Sequence, residues 1–387
     1  MSSDKKSITR RQFVKGVSIG ALGAGFVMGD LAKNLVFAEE TKETTKDVNL
    51  EYRILGKTGL KVTTIGYGAM RTTEEAVIKK AFELGINYFD TADCYFGGEN
   101  EKTMGRALKG YRDKVILATK VHNAKKEDMI KSIEKSLTSL NVDVIDIMQL
   151  HGVSSAGEVK DSVAIEVLEK CKKDGKIRFA GVTTHQDVPI VVYAAIESKF
   201  YDVILLVYHY KSEKDVGEAI DRAGKAGIGI IAMKTQAGGY KTAEMKGLSP
   251  HQAALKWVLT NKNVHTTVPS MVNFDQLNEN IAVMGKKLTA NDISILNRYT
   301  ASISSVYCTM CSSCNGSCPN GVKVQDINRF LMYYEGYGDY YLGKSNYKSL
   351  TTNEVAQVCI DCDSCIVKCA TGLNIKEKMV RAHSIFA

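Results

Sequence analysis

The sequence predicts an α/β protein: a parallel (β/α)8, or TIM, barrel followed by a small domain of helices and loops. Three observations predict it. Strand-like and helix-like segments alternate eight times over about 250 residues, the pattern and length of a (β/α)8 barrel. The strand-like runs are continuously apolar, as expected of strands buried on both faces. Eight of the ten cysteines fall after residue 300, in two runs of identical spacing, which sets the end of the chain apart.

In chain order, "SITRRQFVKG" precedes a Gly-rich apolar run, "VSIGALGAGFVMG", and "LVFAEE" follows. A basic start, a short apolar run and a small residue at Ala38 make an export signal over residues 1–38. The pair Arg10-Arg11, with Phe13 and Lys15 behind it, resembles the twin-arginine motif. That implies the twin-arginine export machinery as a partner and a periplasmic or cell-envelope location. The apolar run is too short for a membrane span of about 20 residues. A polar linker occupies 39–50, the barrel 51–300 and the cysteine-rich domain 301–387.

Within the barrel, "KVTTIGYGAM" reads as the first strand and "TEEAVIKKAFELG" as an amphipathic helix closing on Gly85. The next strands are "INYFDTA", "KVILATKV", "VIDIMQLHG", "IRFAGVTTH", "YDVILLVYHY", "IGIIAMKT" and "VHTTVPSM", each followed by a helical pattern. A doubly wound sheet is the alternative, but no G-x-G-x-x-G follows the first strand. The Tyr-rich "FLMYYEGYGDYY" reads as a connector inside the second domain.

With 44 % hydrophobic residues, a packed core is expected and global disorder is not. The net charge of +8 is spread along helical segments without aromatic interleaving. That points to a solvated surface, and no nucleic-acid partner is expected.

Cys308, Cys311, Cys314 and Cys318 follow C-x2-C-x2-C-x3-C, and Cys359, Cys362, Cys365 and Cys369 repeat it. This is the bacterial run for [4Fe-4S] ligation, in which the fourth cysteine serves the other cluster. One predicted cluster therefore takes Cys308, Cys311, Cys314 and Cys369, and the second takes Cys359, Cys362, Cys365 and Cys318. The domain is read as ferredoxin-like. A zinc ribbon leaves half of these cysteines superfluous, and disulfides leave the duplicated spacing unexplained. A single cluster with spare thiols is the remaining rival. Pro319 follows the first run as in ferredoxins, whereas Ala370 follows the second. Cys171 reads as a small core residue, and Cys94 as a loop spacer or redox-sensitive thiol.

Barrel enzymes place their chemistry at the C-terminal ends of strands. The second strand there offers Asp90 and, past it, Tyr95; the third offers Lys120; the fourth offers His151. Singly, these are a cap, a surface lysine and a structural histidine. Together they make an acid–base site for carbonyl chemistry. A phenol titrates near about 10, and a neighbouring ammonium is expected to lower that value. Asp90 is expected to hold Lys120 charged, and His151 to orient a carbonyl oxygen.

Over roughly residues 50–300 the chain resembles the aldo-keto reductases. "FDTADCYFGGENE" matches that family's Asp-Thr-Ala-x-x-Tyr…Glu signature, and "ATK" and "LHG" follow in the family's order. The resemblance maps the catalytic tetrad onto Asp90, Tyr95, Lys120 and His151. With its tail, the chain resembles the family's iron-sulfur branch over its mature length. The resemblance implies NAD or NADP and a small carbonyl or alcohol substrate. It places nucleotide contacts at Gly68, Met70, Met233 and Lys234. Thr183 and Thr184 stand where the family has Ser and Asn, and Leu205 or Leu206 replaces a Gln. Glu279 and Asn280 are retained for adenine, while Ser270 and Gln276 stand where NADP-preferring members carry basic groups. The pocket is expected to be open, since the cysteine domain replaces the segment that usually walls it. An exported enzyme meets little free nucleotide, which leaves three readings open: a dinucleotide bound before export, clusters that replace it and pass electrons to or from a bound substrate or flavin, or an idle barrel whose tail carries electrons for a redox partner protein. The alternative is an exported electron carrier whose barrel is a docking scaffold without nicotinamide chemistry.

Overall fold

A computed structural model describes residues 49–240, 249–304, 306–308 and 310–387. The export signal, and the linker as far as residue 48, lie outside them. Residues 49–387 belong to one compact unit.

A two-stranded antiparallel hairpin comes first, β1 (Tyr52–Ile54) with β2 (Lys61–Thr63). Its turn needs Gly56 in a left-handed conformation (φ +51°), because a Cβ there would lie 2.4 Å from the Gly229 nitrogen. Leu55, Leu60 and Val62 pack against Tyr88, Ile116, Ile147 and Val203, so the hairpin plugs the barrel interior from below. The Arg53 guanidinium donates to the carbonyls of Leu259 (2.8 Å), Asn261 (3.0 Å) and Val264, tying hairpin to barrel.

The eight-stranded sheet is parallel throughout. It runs β3 (Tyr67–Gly68), β4 (Tyr88–Asp90), β5 (Ile116–Val121), β6 (Ile145–Leu150), β7 (Ile177–Thr184), β8 (Val203–Val207), β9 (Gly229–Met233) and β10 (Val264–Thr267). Parallel bridges Ile65–Thr267 and Gly68–Ser270 close it into a barrel. The segment expected as one strand over 61–70 is two. Lys61–Thr63 pairs antiparallel with the hairpin, and only Tyr67–Gly68 pairs with β4. The polar–apolar alternation of Lys61-Val62-Thr63 suits a half-exposed hairpin strand rather than a barrel stave.

Amphipathic helices ring the barrel. Glu75–Glu83 buries Val77, Ile78 and Ala81, and Lys126–Leu140 buries Met129, Ile133 and Leu140 against the outer strand faces. The period-2 alternation leaves Ala118 and Lys120 of β5, and Ile147 and Gln149 of β6, on the inner face.

The tail contributes helices Val324–Glu335, Tyr340–Lys348 and Ile375–Phe386. The stretch read as a connector is largely the first two of these. Phe330, Leu331, Met332 and Tyr333 are buried in the same apolar cluster as Met233 and Val268 of the barrel mouth. Its aromatic residues sit at helical spacing, so they form a buried face rather than a spacer.

Between the strands that carry the later site lies Asp146, 1 % exposed. Its carboxylate accepts from the Leu117 backbone (2.9 Å), Arg112 (2.8 Å) and Arg178 (2.6 Å). Asp146→Ala is expected to lower stability by about 2–4 kcal/mol, because it leaves a buried amide and a half-buried guanidinium unpaired. A urea-unfolding midpoint unchanged from wild type would contradict this role.

Candidate active site

Strands β4, β5 and β6 bring four groups together at their C-terminal ends. The Lys120 side chain, 2 % exposed, donates to Asp90 Oδ1 and to the Thr91 carbonyl (2.5 Å). Gln149 Nε2 donates to the other oxygen, Asp90 Oδ2, at 2.9 Å. The ammonium lies against the Tyr95 ring, 4.9 Å from its centroid. The His151 ring stands 6.2 Å from that of Tyr95, nearly perpendicular at 79°.

The Tyr95 turn is fixed by its neighbours. Thr91 donates to Asn100 Oδ1 (2.6 Å), and Asn100 Nδ2 donates to the carbonyls of Ala69 (2.8 Å) and Thr72. Phe96, Gly97 and Gly98 are all left-handed, at φ +50°, +64° and +95°, which folds the chain back after Tyr95 and into helix Glu99–Ala107. Glu101, the glutamate of the signature, is buried and accepts from Thr119 Oγ1 at 2.6 Å. It is a strut beneath the site rather than a reacting group.

The electrostatics differ from the expectation in one respect. Burial, and then the charge of Asp90, push the Tyr95 phenol well above its ordinary value, so the net shift is upward despite the ammonium of Lys120 against its ring. His151 is held well below the usual imidazole range by burial, then by Lys120, His122 and Arg329. It is neutral near pH 7, a hydrogen-bond donor without a formal charge.

A cavity opens beside Tyr95 and Asp90. Gly68, Met70, Met233, Lys234 and Ser270 line it, as placed from sequence. Leu205 rather than Leu206 faces it. Thr183 and Thr184 are turned to local partners: Thr183 Oγ1 accepts from Gly152 N (2.8 Å), and Thr184 Oγ1 donates to the Gln186 carbonyl (2.5 Å). Their neighbour His185 takes the lining position. Gln276 accepts from the Val272 backbone, Asn280 from Gln236, and Glu279 from Ser249. None of the three lines the cavity.

The tail forms part of the mouth. Tyr337 of the tail lines the cavity, and Arg71 donates to the Tyr337 carbonyl at 2.6 Å. The Lys234 ammonium sits over the rings of Tyr333 (4.6 Å) and Tyr337 (5.3 Å). The cysteine-bearing segment therefore supplies a wall of its own. Sequence reasoning missed Gln149, His185, Arg71 and the two tyrosines. Gln149 alone left a signal, as the one amide in the apolar run "IDIMQL" two residues before His151.

All ten cysteines are free. Cys308, Cys311 and Cys314 line one cavity together with Cys369. Asn328, 3 % exposed, also lines it, and its Nδ2 has no hydrogen-bond partner. Cys318, Cys365 and Cys362 all act on Cys359, whose thiol burial pushes up to about 11. Cys171 is buried on its helix, as a small core residue.

A closed parallel barrel carrying a buried lysine–aspartate pair, a tyrosine and a neutral histidine at its strand ends defines an oxidoreductase of the (β/α)8 class. The aldo/keto reductase family profile matches residues 59–246 and 240–300, and the chain belongs to that family. It is 30 % identical over 282 residues to the L-galactose dehydrogenase of Arabidopsis thaliana, covering 61 % of this chain and 88 % of the relative. It is 27 % identical to the methylglyoxal reductase YeaE of Escherichia coli, covering 59 % and 85 %. Among solved structures, the aldo-keto reductase AKR11C1 of Bacillus halodurans in its holo form aligns with a TM-score of 0.55 at 27 % identity. That alignment covers 64 % of this chain and 96 % of that one. The family match stops at residue 300, before the cysteine runs.

Tyr333 of the tail wall carries a distinctive environment. Burial pushes its phenol up, but Lys234 and Arg329 more than offset this and hold it below its ordinary value. A wild-type-minus-Tyr333→Phe difference spectrum should therefore show a tyrosinate step below the ordinary pKa of about 10. A step at or above that pH would contradict the placement of Lys234 and Arg329 around this ring.

Proposed function

We propose that the chain is an exported, nicotinamide-dependent carbonyl reductase carrying two [4Fe-4S] clusters. The carrying observation is the buried Lys120–Asp90 pair packed against the Tyr95 ring, with neutral His151 edge-on to it. Tyr95 is protonated near neutrality and so carries the proton that a reduced carbonyl oxygen needs, and the Lys120 ammonium against its ring would stabilise the phenolate as that proton leaves. Asp90 keeps Lys120 in place, Gln149 keeps Asp90 in place, and His151 donates to the carbonyl oxygen and orients it against Tyr95. Buried surroundings strengthen each of these interactions by excluding water.

The residues present fit the nicotinamide end of a dinucleotide. The cavity runs from Tyr95 and Asp90 to Lys234 and Ser270. Gly68 permits close approach at the rim, where a Cβ would lie 2.4 Å from the Val268 carbonyl. Gly68, Met70, Met233 and His185 would hold the ring, and Lys234 would meet the pyrophosphate. The dinucleotide supplies the hydride. No basic group replaces Ser270 and Gln276, so the reading favours NAD over NADP.

The cysteine tail fits two clusters. The four-cysteine cavity combines thiols from both runs in the set that the spacing predicts, and the orphaned Asn328 amide suits a donor to cluster sulfur. The clusters would exchange single electrons with a redox partner. The Arg10-Arg11 leader supports export of the folded, loaded protein by the twin-arginine route.

Two measurements test this reading. NADH or NADPH oxidation with methylglyoxal as the probe substrate is expected to fall about 100- to 10,000-fold in Tyr95→Phe, with iron content unchanged. Equal rates in wild type and variant would overturn the assignment. Anaerobically purified protein is expected to hold about eight iron and eight acid-labile sulfide per chain. Cys311→Ser and Cys369→Ser, singly or combined, should each lose the same half of the iron, whereas Cys311→Ser with Cys362→Ser should lose all of it. Near-total iron loss in the Cys311/Cys369 pair would sink the crossed ligand sets.

A further inference from the structure

We infer that a further metal site, apart from the two clusters, lies at the barrel mouth: a zinc-class divalent cation held by Asp93, Cys94, His122 and His151. The inference goes beyond the proposed reductase reading and does not depend on its correctness. One ligand atom from each of these four side chains lies within 4.8 Å of every other. Cys94 Sγ is 3.8 Å from His151 Nδ1, and the rings of His122 and His151 are 4.4 Å apart between centroids. A tetrahedral zinc with bonds of about 2.0–2.3 Å sets its ligand atoms roughly 3.3–3.8 Å apart, so modest side-chain rotation completes the site.

The donor set has the right chemistry. One thiolate, two imidazoles and one carboxylate suit borderline cations such as zinc over magnesium or calcium. The second observation is Asp93 itself. Its Oδ2 accepts from Ser132 at 2.6 Å, which orients the carboxylate, while its buried Oδ1 has no partner. A carboxylate oriented on one oxygen and vacant on the other is the outer-shell arrangement of a ligating acid. The charges also close. Asp93 and a Cys94 thiolate bring two negative charges to a doubly positive ion. Lys120, the nearby cation on β5, is already neutralised by Asp90. Arg329, which acts on His151 from the tail, is paired with Asp326. Cys94 and His122 are exposed, so the ion has an entry path.

Because Nδ1 of His151 faces Cys94, a metal bound there leaves the remaining ring proton on Nε2. The same ion would thus set the tautomer of a side chain that the proposed reaction uses as a donor.

The experiment uses the full-length protein with its clusters, equilibrated with micromolar zinc chloride and desalted. About one zinc per chain is expected in addition to the cluster iron. In Cys94→Ser/His122→Ala the zinc content should fall about tenfold or more, with iron content and far-ultraviolet circular dichroism unchanged. Zinc absorption fine structure should show one sulfur near about 2.3 Å and nitrogen or oxygen near about 2.0 Å. Zinc retained in full by the double variant, no zinc retained by wild type, or an all-sulfur shell that places the ion among the tail cysteines would each overturn the site. None of these readouts uses catalytic turnover, so a failed reductase assay leaves the result intact.

Discussion

The buried ion pair of Lys120 and Asp90 is the constraint on which the rest of the site hangs. Taking an ammonium and a carboxylate out of water costs several kcal/mol per ion, and only close pairing with further hydrogen bonds compensates. Here those bonds come from three strands. Lys120 on β5 reaches Asp90 and the carbonyl of Thr91 at the end of β4, and Gln149 on β6 satisfies the second carboxylate oxygen. The pair is therefore a clamp as much as an electrostatic device. It fixes where β4 ends, and with it the turn that presents Tyr95. It also fixes the register at which β6 hands over to His151.

The clamp has a consequence for acidity. Asp90, which holds Lys120 in place, also lies beside the Tyr95 phenol and opposes its ionisation. Tyr95 is thus governed by burial and by Asp90, both of which favour its neutral form. The contrast with Tyr333 makes the point. That phenol is also buried, yet Lys234 and Arg329 hold it below its ordinary value. Arg329 is paired with Asp326, but it donates directly to the Tyr333 oxygen at 3.3 Å. The charges of Lys234 and Arg329, with hydrogen bonding at the oxygen adding to them, separate the two tyrosines.

The barrel was legible in the sequence because its strands are apolar runs at regular spacing, and the tetrad because its members fall where strands end. The hairpin was not, since Lys61-Val62-Thr63 runs unbroken in sequence into the first barrel strand. Gln149 hid inside an apolar run. Thr183 and Thr184 stand at the motif's positions, but each hydroxyl is taken up by nearby backbone, and His185 faces the cavity instead. The tail's wall was illegible for a different reason. Arg71 and Tyr337 are 266 residues apart, and nothing local in either announces the other.

That wall decides how the two halves of the chain relate. Helix Val324–Glu335 begins six residues after Cys318. Its Gln325 and Asn328 line the four-cysteine cavity, and Gln325 donates to Ser312 in the first cysteine run at 2.8 Å. One turn further on, Arg329 donates to Tyr333, whose ring lies under Lys234; Arg329 acts on His151 and Tyr333 on Tyr95. Asn328 and Tyr333 are five residues apart, a rise of about 7–8 Å along a helix. A tethered electron carrier needs no such contact, and a barrel serving as a passive scaffold needs no tail arginine whose charge acts on His151. On the proposed reading, the iron-sulfur segment is part of the catalytic pocket's construction: the helix that borders the cysteine cavity also borders the space where a carbonyl would be held.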